Sequence, residues 1–406
     1  MKNNATLSVS VLGLGYIGLP TSALLASVGY TVKGMDVNES TVEIINQGKV
    51  HIVEPDLDAF VSSAVSNGLL TAFSTVQPAD VYIICVPTPF RIEADAPVAD
   101  LSYVKQAARG IAPHIKPSDI VILESTSPVG TTKLVSDTLQ DSGVDISLIS
   151  VAYCPERVLP GKIMSELISN DRVIGGINPY ATKKVAEFYK TFVKGEILET
   201  TAETAEMCKL TENSFRDVNI AFANELSMIC DRNGVDVHDL IKLANHHPRV
   251  DILQPGTGVG GHCIAVDPWF LVSGDPDNTR IIKMARQVND SKPHWVVNKI
   301  IERQVSIDGS KLKIACLGIA FKPNIDDLRE SPAVLVVEKL VQFGHEVSVV
   351  EPNIESHSNF TLVSLEELDD FDVIAVLVKH QEFDNPQIRS YLQKKNTLDF
   401  CGLFSH

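Results

Sequence analysis

Residues 13–18 read Gly-Leu-Gly-Tyr-Ile-Gly, between a run of strand character at residues 7–12 (LSVSVL) and an apolar, Ala-rich stretch of helical character at residues 20–28. Gly29 ends that helix, a second strand is expected over residues 30–35, and Asp36 follows it, 21 residues beyond Gly15. Strand, glycine turn, helix, strand and acid within one βαβ unit is the setting in which a G-x-G-x-x-G pattern carries meaning. Gly13, Gly15 and Gly18 let the backbone turn tightly and approach a pyrophosphate. The first turn of the helix supplies unpaired N–H groups and the positive end of its dipole. Asp36 is suited to accept from two ribose hydroxyls and to repel a 2′-phosphate, which favours NAD over NADP. The plain alternative is a glycine-rich turn that holds no ligand.

A chain of 406 residues is long enough for two or three domains, and a hydrophobic fraction of 44% is that of a globular protein. The formal net charge of −16 argues against a nucleic acid or an anionic membrane as main partner. Seven cysteines, at 85, 154, 208, 230, 263, 316 and 401, form no C-x-x-C pair. That pattern opposes a disulfide framework and a zinc site, predicts no metal, and fits a reducing, cytoplasmic setting. No apolar run is long enough to span a membrane, and glycines break the one N-terminal stretch that resembles a signal peptide.

Further strands are expected at residues 81–86, ending in Pro87-Thr88-Pro89, and at 120–123, ending in Glu124-Ser125-Thr126-Ser127-Pro128-Val129-Gly130-Thr131. Strand ends of this kind line the ligand crevice of an open parallel sheet, so Thr88 and Thr126 are cofactor-side candidates. Helix N-capping explains either threonine equally well. From about residue 201 to 305 helical patterns take over, including one long helix over residues 203–229. At Lys311 the α/β pattern restarts, with KIACL at residues 313–317, Gly318, a polar loop at 319–330, Ser331-Pro332 opening a helix, and EVSVV closing the unit at Glu351. Only one glycine of the first unit's turn remains there. The fold expected is α/β, with two Rossmann-like domains (1–200 and 306–406) joined by a helical central domain (201–305).

Residues 254–268 (QPGTGVGGHCIAVDP) hold four glycines in six residues, then Cys263 and, four residues on, Asp267. A thiol in such a polar, backbone-rich setting can become a nucleophile, although most single cysteines are small buried apolar residues. Lys209, Asn213 and Arg216 share one face of the long helix, as a solvated polar stripe would or as stabilising a developing alkoxide requires. Two rigid loops, Tyr153-Cys154-Pro155-Glu156-Arg157-Val158-Leu159-Pro160-Gly161 and residues 321–331, mix acids and cations, as ion-paired surface loops also do. His247 and Arg249 add charge before the cysteine loop. Tyr180 and Lys184 have the spacing of a short-chain dehydrogenase pair, but that family's glycine pattern is missing, and an ordinary amphipathic helix accounts for them.

The motifs GLGYIGLP, VPTP, ESTSPVGT, PER, EMCKLTENSFRDVNIAFANE, GVGGHCIAVDP and FKPNIDDLRESP together resemble the UDP-glucose/GDP-mannose dehydrogenase family along essentially the whole chain. PERVLPG and HHPRVDILQPGTGVGGHCIAVDPWF resemble its N-acetylhexosamine branch. The resemblance implies four-electron oxidation of a UDP-sugar C6 alcohol to a carboxylate with two NAD in succession, UDP-N-acetyl-D-mannosamine being the expected substrate. It implies that Cys263 captures the aldehyde, that Lys209 accepts a proton or pairs with an oxyanion, that Asn213 and Asp267 support it, and that Glu156 assists water. Tyr16, Ile17, Asp36, Thr88 and Thr126 would hold NAD, with Arg329 reaching the cofactor or the sugar carboxylate. Arg157, Val158, Lys209, Asn213, Arg216, His247, Arg249, Gly260, Phe321 and Lys322 match substrate positions. Family members are dimers joined through the central helices, so His247 and Arg249 are candidates to act in the neighbouring subunit, with the active site between the outer domains.

A covalent thiol beside NAD makes chemical sense if an aldehyde must be held between two oxidations. UDP-N-acetylglucosamine and UDP-glucose are the rival substrates, and a non-catalytic NAD-responsive binding protein is the rival of another class. An anionic substrate on an acidic chain must rest on local cations, for which Arg157, Lys209, Arg216, Arg249, Lys322 and Arg329 are the candidates.

Overall fold

The computed structural model describes residues 7–93, 96–261, 263–305 and 311–405. Residue 306, the expected start of the C-terminal domain, lies outside them, as does His262 in the glycine-cysteine motif. The chain divides into two compact units, Met1–Glu212 and Asn213–His406, and the division falls inside the helix Ala202–Asn233.

In the first unit β1 (Ser8–Leu12), β2 (Thr31–Met35), β3 (Leu70–Phe73) and β4 (Val81–Ile84) are followed by a hairpin, β5 (Phe90–Glu93) and β6 (Ala96–Ala99), that stands apart from the main sheet. Then come β7 (Ile120–Leu123), β8 (Ser150–Tyr153), β9 (Arg172–Gly176) and β10 (Ile197–Thr201). The main sheet has the order β10-β9-β8-β7-β4-β1-β2-β3, parallel except between β8 and β9. Strand order reverses beside β1, so the loops leaving the ends of β1 and β4 border the crevice where such sheets take ligands. Alternation places Val9 and Val11 in the core of one face, with Leu19 and Ala23 of the helix Gly18–Ser27. Leu12, Tyr82, Ile84 and Leu123 fill the opposite core. Both faces are covered, which is why these strands read as continuous apolar runs.

The second unit carries helices Val237–Ala244, Asp267–Gly274 and Arg280–Val305 after the remainder of Ala202–Asn233. A five-stranded parallel sheet follows: β11 (Lys313–Leu317), β12 (Glu346–Val350), β13 (Thr361–Leu362), β14 (Val373–Val376) and β15 (Thr397–Asp399), in the order β13-β12-β11-β14-β15. Its order reverses between β11 and β14. Ser331 caps the helix Pro332–Gln342 by accepting from the Val334 N–H, with Pro332 at the first helical position. No helix among the described residues is long and apolar enough to cross a membrane.

Candidate active site

At the end of β1, two of the three motif glycines are required by the protein itself. Gly13 has φ +90°, and a Cβ there would lie 2.7 Å from the Cys85 carbonyl oxygen; one on Gly18 would lie 1.8 Å from the Gly13 oxygen. A Cβ on Gly15 would meet nothing within 4 Å, so its missing side chain leaves open space where a phosphate can approach the backbone. The helix Gly18–Ser27 has Ile17 as N-cap, no side-chain cap and no acid in its first turn, so its leading N–H groups suit a phosphate. Tyr16 packs partly buried against the core. Asp36 accepts from the N–H of Leu14 and of Asn38, each at 2.9 Å, which fixes the carboxylate beside the turn with lone pairs left for ribose hydroxyls. The turn, the uncapped helix and the acid fit NAD.

Thr88 donates to the Thr126 carbonyl at 2.5 Å, tying the loops after β4 and β7 together. Neither threonine caps a helix: β5 follows Thr88, and Gly130 is the N-cap of Thr131–Asp141. The N-terminus of that helix is filled from within, because Glu206 accepts from the N–H groups of Gly130 and Thr132 and from the Thr132 hydroxyl, all at 2.6 Å. Nearly two turns further along its own helix, Glu212 takes the Arg157 guanidinium, with Nη2 at 2.7 Å and Nε at 3.2 Å. Lys209, half-buried, lies midway between these two anchors, so the helix that presents it is fastened on either side. Val158 packs against the core beside Arg157.

Glu156 is buried, with Arg172 Nη1 at 2.5 Å and the Arg157 N–H at 2.7 Å. Arg172, the first residue of β9, is only 1% exposed. Glu124, also buried, accepts from Tyr189 Oη at 2.5 Å and from Cys85 Sγ at 3.3 Å; burial, and after it the charge of Glu156, pushes its carboxyl pKa up. Sequence reasoning found Glu156 and missed Glu124, Arg172, Glu206 and Glu212.

In the second unit, Cys263 is exposed and its carbonyl accepts from Val266 N–H at 3.0 Å and Asp267 N–H at 2.8 Å. Asp267 opens the helix Asp267–Gly274, and its carboxylate takes Asn213 Nδ2 at 2.5 Å. Cys263, Asp267 and Asn213 are thereby brought together by bonds within this unit. Among the seven cysteines Cys263 alone is exposed. Burial pushes the thiols of Cys154 and Cys316 up to about 12, those of Cys85 and Cys401 well above the ordinary range, and raises Cys208 and Cys230. None of those six is poised to act as a thiolate.

The glycine-rich run before Cys263 presses against protein. A Cβ on Gly260 would lie 2.3 Å from the Glu330 oxygen, and one on Gly261, where φ is +84°, 2.8 Å from the Phe321 ring. The polar residues inside the long helix have a structural task as well. Asn224, fully buried, accepts from the Gly256 N–H at 2.9 Å and donates to Asn289, which donates to Asp217, itself paired with Arg286 at 2.6 Å. Arg216, His247 and Arg249 are exposed, the last two in the segment after Val237–Ala244. Phe321 and Lys322 are half-buried in the loop 319–330, where Arg329 forms a two-point pair with Asp327 (2.8 and 2.6 Å). Arg157 and Arg329, two of the candidate cations, are therefore held in ion pairs.

Three family models match the chain in order: the UDP-glucose/GDP-mannose dehydrogenase family NAD binding domain over residues 7–193, its central domain over 203–291 and its UDP binding domain over 315–406. A UDP-N-acetyl-D-mannosamine dehydrogenase of Escherichia coli (strain K12) is 52% identical over 93% of this chain and 94% of its own. An NDP-N-acetyl-D-galactosaminuronic acid dehydrogenase of Ralstonia nicotianae is 51% identical over 98% and 96%. Among solved structures, a UDP-D-ManNAc dehydrogenase from Pyrococcus horikoshii superposes with a TM-score of 0.91 at 38% identity, covering 98% of this chain and 96% of its own.

Proposed function

From the fact that the chain belongs to the UDP-glucose/GDP-mannose dehydrogenase family and is an NAD-dependent UDP-sugar dehydrogenase, we propose that it oxidises the C6 alcohol of UDP-N-acetyl-D-mannosamine to the carboxylate, through a covalent intermediate on Cys263. NAD supplies a hydride acceptor for each of the two oxidations. The first takes the alcohol to the aldehyde, with Lys209 accepting the hydroxyl proton or balancing the alkoxide. Cys263 then adds to the aldehyde carbon, the carbonyl oxygen gains a proton, and a thiohemiacetal forms. The second oxidation removes hydride and proton and leaves a thioester. Water cleaves it, returning the thiol and releasing the carboxylate. The observation that carries this reading is that Cys263 alone of seven thiols is exposed, beside the bonded pair Asn213 and Asp267.

Asn213 and Asp267 orient the oxygen of the reacting carbon, and Glu156, which keeps acceptor capacity beyond its bonds to Arg172 and Arg157, assists the attacking water. Lys322, Phe321, Arg157 and Arg216 take the nucleotide-sugar, and Arg329 the new carboxylate or the cofactor. The division of labour is NAD domain, helical dimerisation segment and UDP domain. A homodimer is supported by Phe215, Phe222 and Ile229, each more than half exposed and spaced seven residues apart on one face of the long helix. In it, His247 and Arg249 serve the neighbouring subunit. Seven cysteines with no C-x-x-C pair suit the cytoplasm.

The Ralstonia relative's name favours a second reading, an N-acetylgalactosamine substrate. Purified chain with NAD and each of UDP-N-acetylmannosamine, UDP-N-acetylglucosamine, UDP-N-acetylgalactosamine and UDP-glucose tests both. The proposal expects the highest kcat/KM with the first, and two NADH per uronate. A preference for UDP-glucose overturns the substrate assignment, and NAD binding without turnover on any sugar overturns the enzymatic reading. Light scattering on the Phe222→Glu variant, expected to be monomeric, tests the dimer.

A further inference from the structure

In the second unit the residue corresponding to Asp36 is Glu351, directly after β12, and it is buried. Its carboxylate accepts from the N–H groups of Ile319 (2.7 Å) and Ala320 (3.1 Å), from Asn353 N–H (3.2 Å) and Nδ2 (3.0 Å), and from His380 Nε2 (3.1 Å). Burial works against the charge, but the His380 and backbone bonds outweigh it and hold the carboxyl down to about 2. With five donors around four lone-pair sites, it has no capacity left for a ribose. Its task is to orient a histidine.

His380 is fully buried, and its Phe383 neighbour meets the ring edge-on with centroids 5.5 Å apart. Because Nε2–H is spent on Glu351, Nδ1 is an acceptor. It takes the backbone N–H of Asn324 at 2.9 Å and Asn353 Nδ2 at 3.1 Å. Asn324 stands at φ +62° in the left-handed region, and its Oδ1 accepts from the Gln381 N–H at 2.8 Å. Gly318 makes the approach possible: a Cβ there would sit 2.6 Å from Val378 Cβ and 3.1 Å from His380 Cδ2. These contacts bridge the loops leaving β11 and β14, the two strands between which the sheet order reverses and beside which such a sheet takes its ligand.

We propose that His380, oriented by Glu351, is the positioning residue of the loop 319–330, setting Lys322 and Phe321 for the nucleotide-sugar by accepting the Asn324 N–H. This rests on the reading of Lys322 and Phe321 as substrate residues. Two substitutions separate the ring's two bonds. His380→Gln keeps a donor for Glu351 and loses the acceptor for Asn324; His380→Asn keeps an acceptor near the Nδ1 position and loses the donor. Steady-state kinetics and hydrogen exchange of peptides covering 319–330 are measured on both variants and on Lys322→Ala, all as full chains. The expected result is that His380→Gln raises KM for the UDP-sugar by about tenfold or more, the worth of one well-placed hydrogen bond. KM for NAD and kcat stay close to wild type, exchange in 319–330 speeds up, and His380→Asn recovers most of both losses. Faster exchange with an unchanged UDP-sugar KM overturns the proposal, and so does an equal loss in both variants that also moves kcat and the NAD KM. An unchanged KM in Lys322→Ala removes the role of Lys322 instead, and the contrast between the two His380 variants still judges the latch.

Discussion

Arg172 is the residue on which the interior of the first unit depends for charge balance. It is 1% exposed, Nη1 lies 2.5 Å from the Glu156 carboxylate, and Nη2 donates to the Leu167 carbonyl at 3.0 Å. Glu124, equally buried, shares the same surroundings, so one guanidinium offsets two carboxylates. Arg172→Met keeps the length and the apolar stem but leaves both acids without a cation. Removing one partner of a buried pair costs about 3–5 kcal/mol. At about 2–4 °C per kcal/mol for a unit of this size, that is a Tm loss of roughly 6–20 °C. The pH dependence has a definite sign. A carboxyl whose pKa is raised on folding binds more protons folded than unfolded, so stability falls as pH climbs through the window between the ordinary value and the raised one. Without Arg172 the Glu124 carboxyl, already raised by burial, moves further in that direction, and the variant regains Tm relative to wild type on acidification from neutral to mildly acidic pH. Calorimetry at both pH values on wild type, Arg172→Met and Arg172→Met with Glu156→Gln is the assay, the double variant being expected to recover part of the loss. A single variant within about 2 °C of wild type at both pH values, or a double variant worse than the single, would refute the charge accounting.

The glycine turn predicts a separation of effects. Gly18→Ala forces a Cβ to within 1.8 Å of the Gly13 oxygen and lowers Tm, whereas Gly15→Ala has open space, keeps Tm and loses NAD affinity, as calorimetry and NAD titration read directly. Lys292 is 2% exposed, bonds Ser227 Oγ at 2.5 Å and lies 3.9 Å from the Trp295 ring, and burial lowers its pKa to about 7. The folded state then binds fewer protons than the unfolded one, so stability rises between pH 7 and 10.5 by up to about 1.4 kcal/mol per pH unit. Denaturant titrations across that range should show the slope in wild type and a flatter one in Lys292→Met.

What the sequence made legible follows local rules. Strands β1, β7, β11 and β12, the glycine turn at residues 13–18, the acid directly after β2, the long helix and the Ser331-Pro332 start all depend on residues a few positions apart. The partners that fasten the site depend on distant ones. Glu212 meets Arg157 across 55 residues and Glu206 meets Gly130 across 76, and nothing in a helix sequence marks one acid among several for such a task. An asparagine in a helix interior is a signal the sequence does carry: Asn224, poor for helix formation, is buried in the structure and bonds Gly256 and Asn289. The glycines before Cys263 were legible as a polar, backbone-rich setting for that thiol, but not as backbone pressed against protein, because the surface they touch, Phe321 and Glu330, lies some 60 to 70 residues downstream.

The central claim is that Cys263 holds the substrate between two oxidations. Turnover of UDP-N-acetylmannosamine with NAD, acid-quenched before completion and digested for mass spectrometry, tests it most directly. The account predicts a sugar-derived acyl adduct on the peptide containing Cys263, and a Cys263→Ser variant that stalls after the aldehyde or shows only trace uronate. An unmodified Cys263 peptide throughout turnover, together with full uronate release and two NADH per sugar from Cys263→Ser, would contradict it.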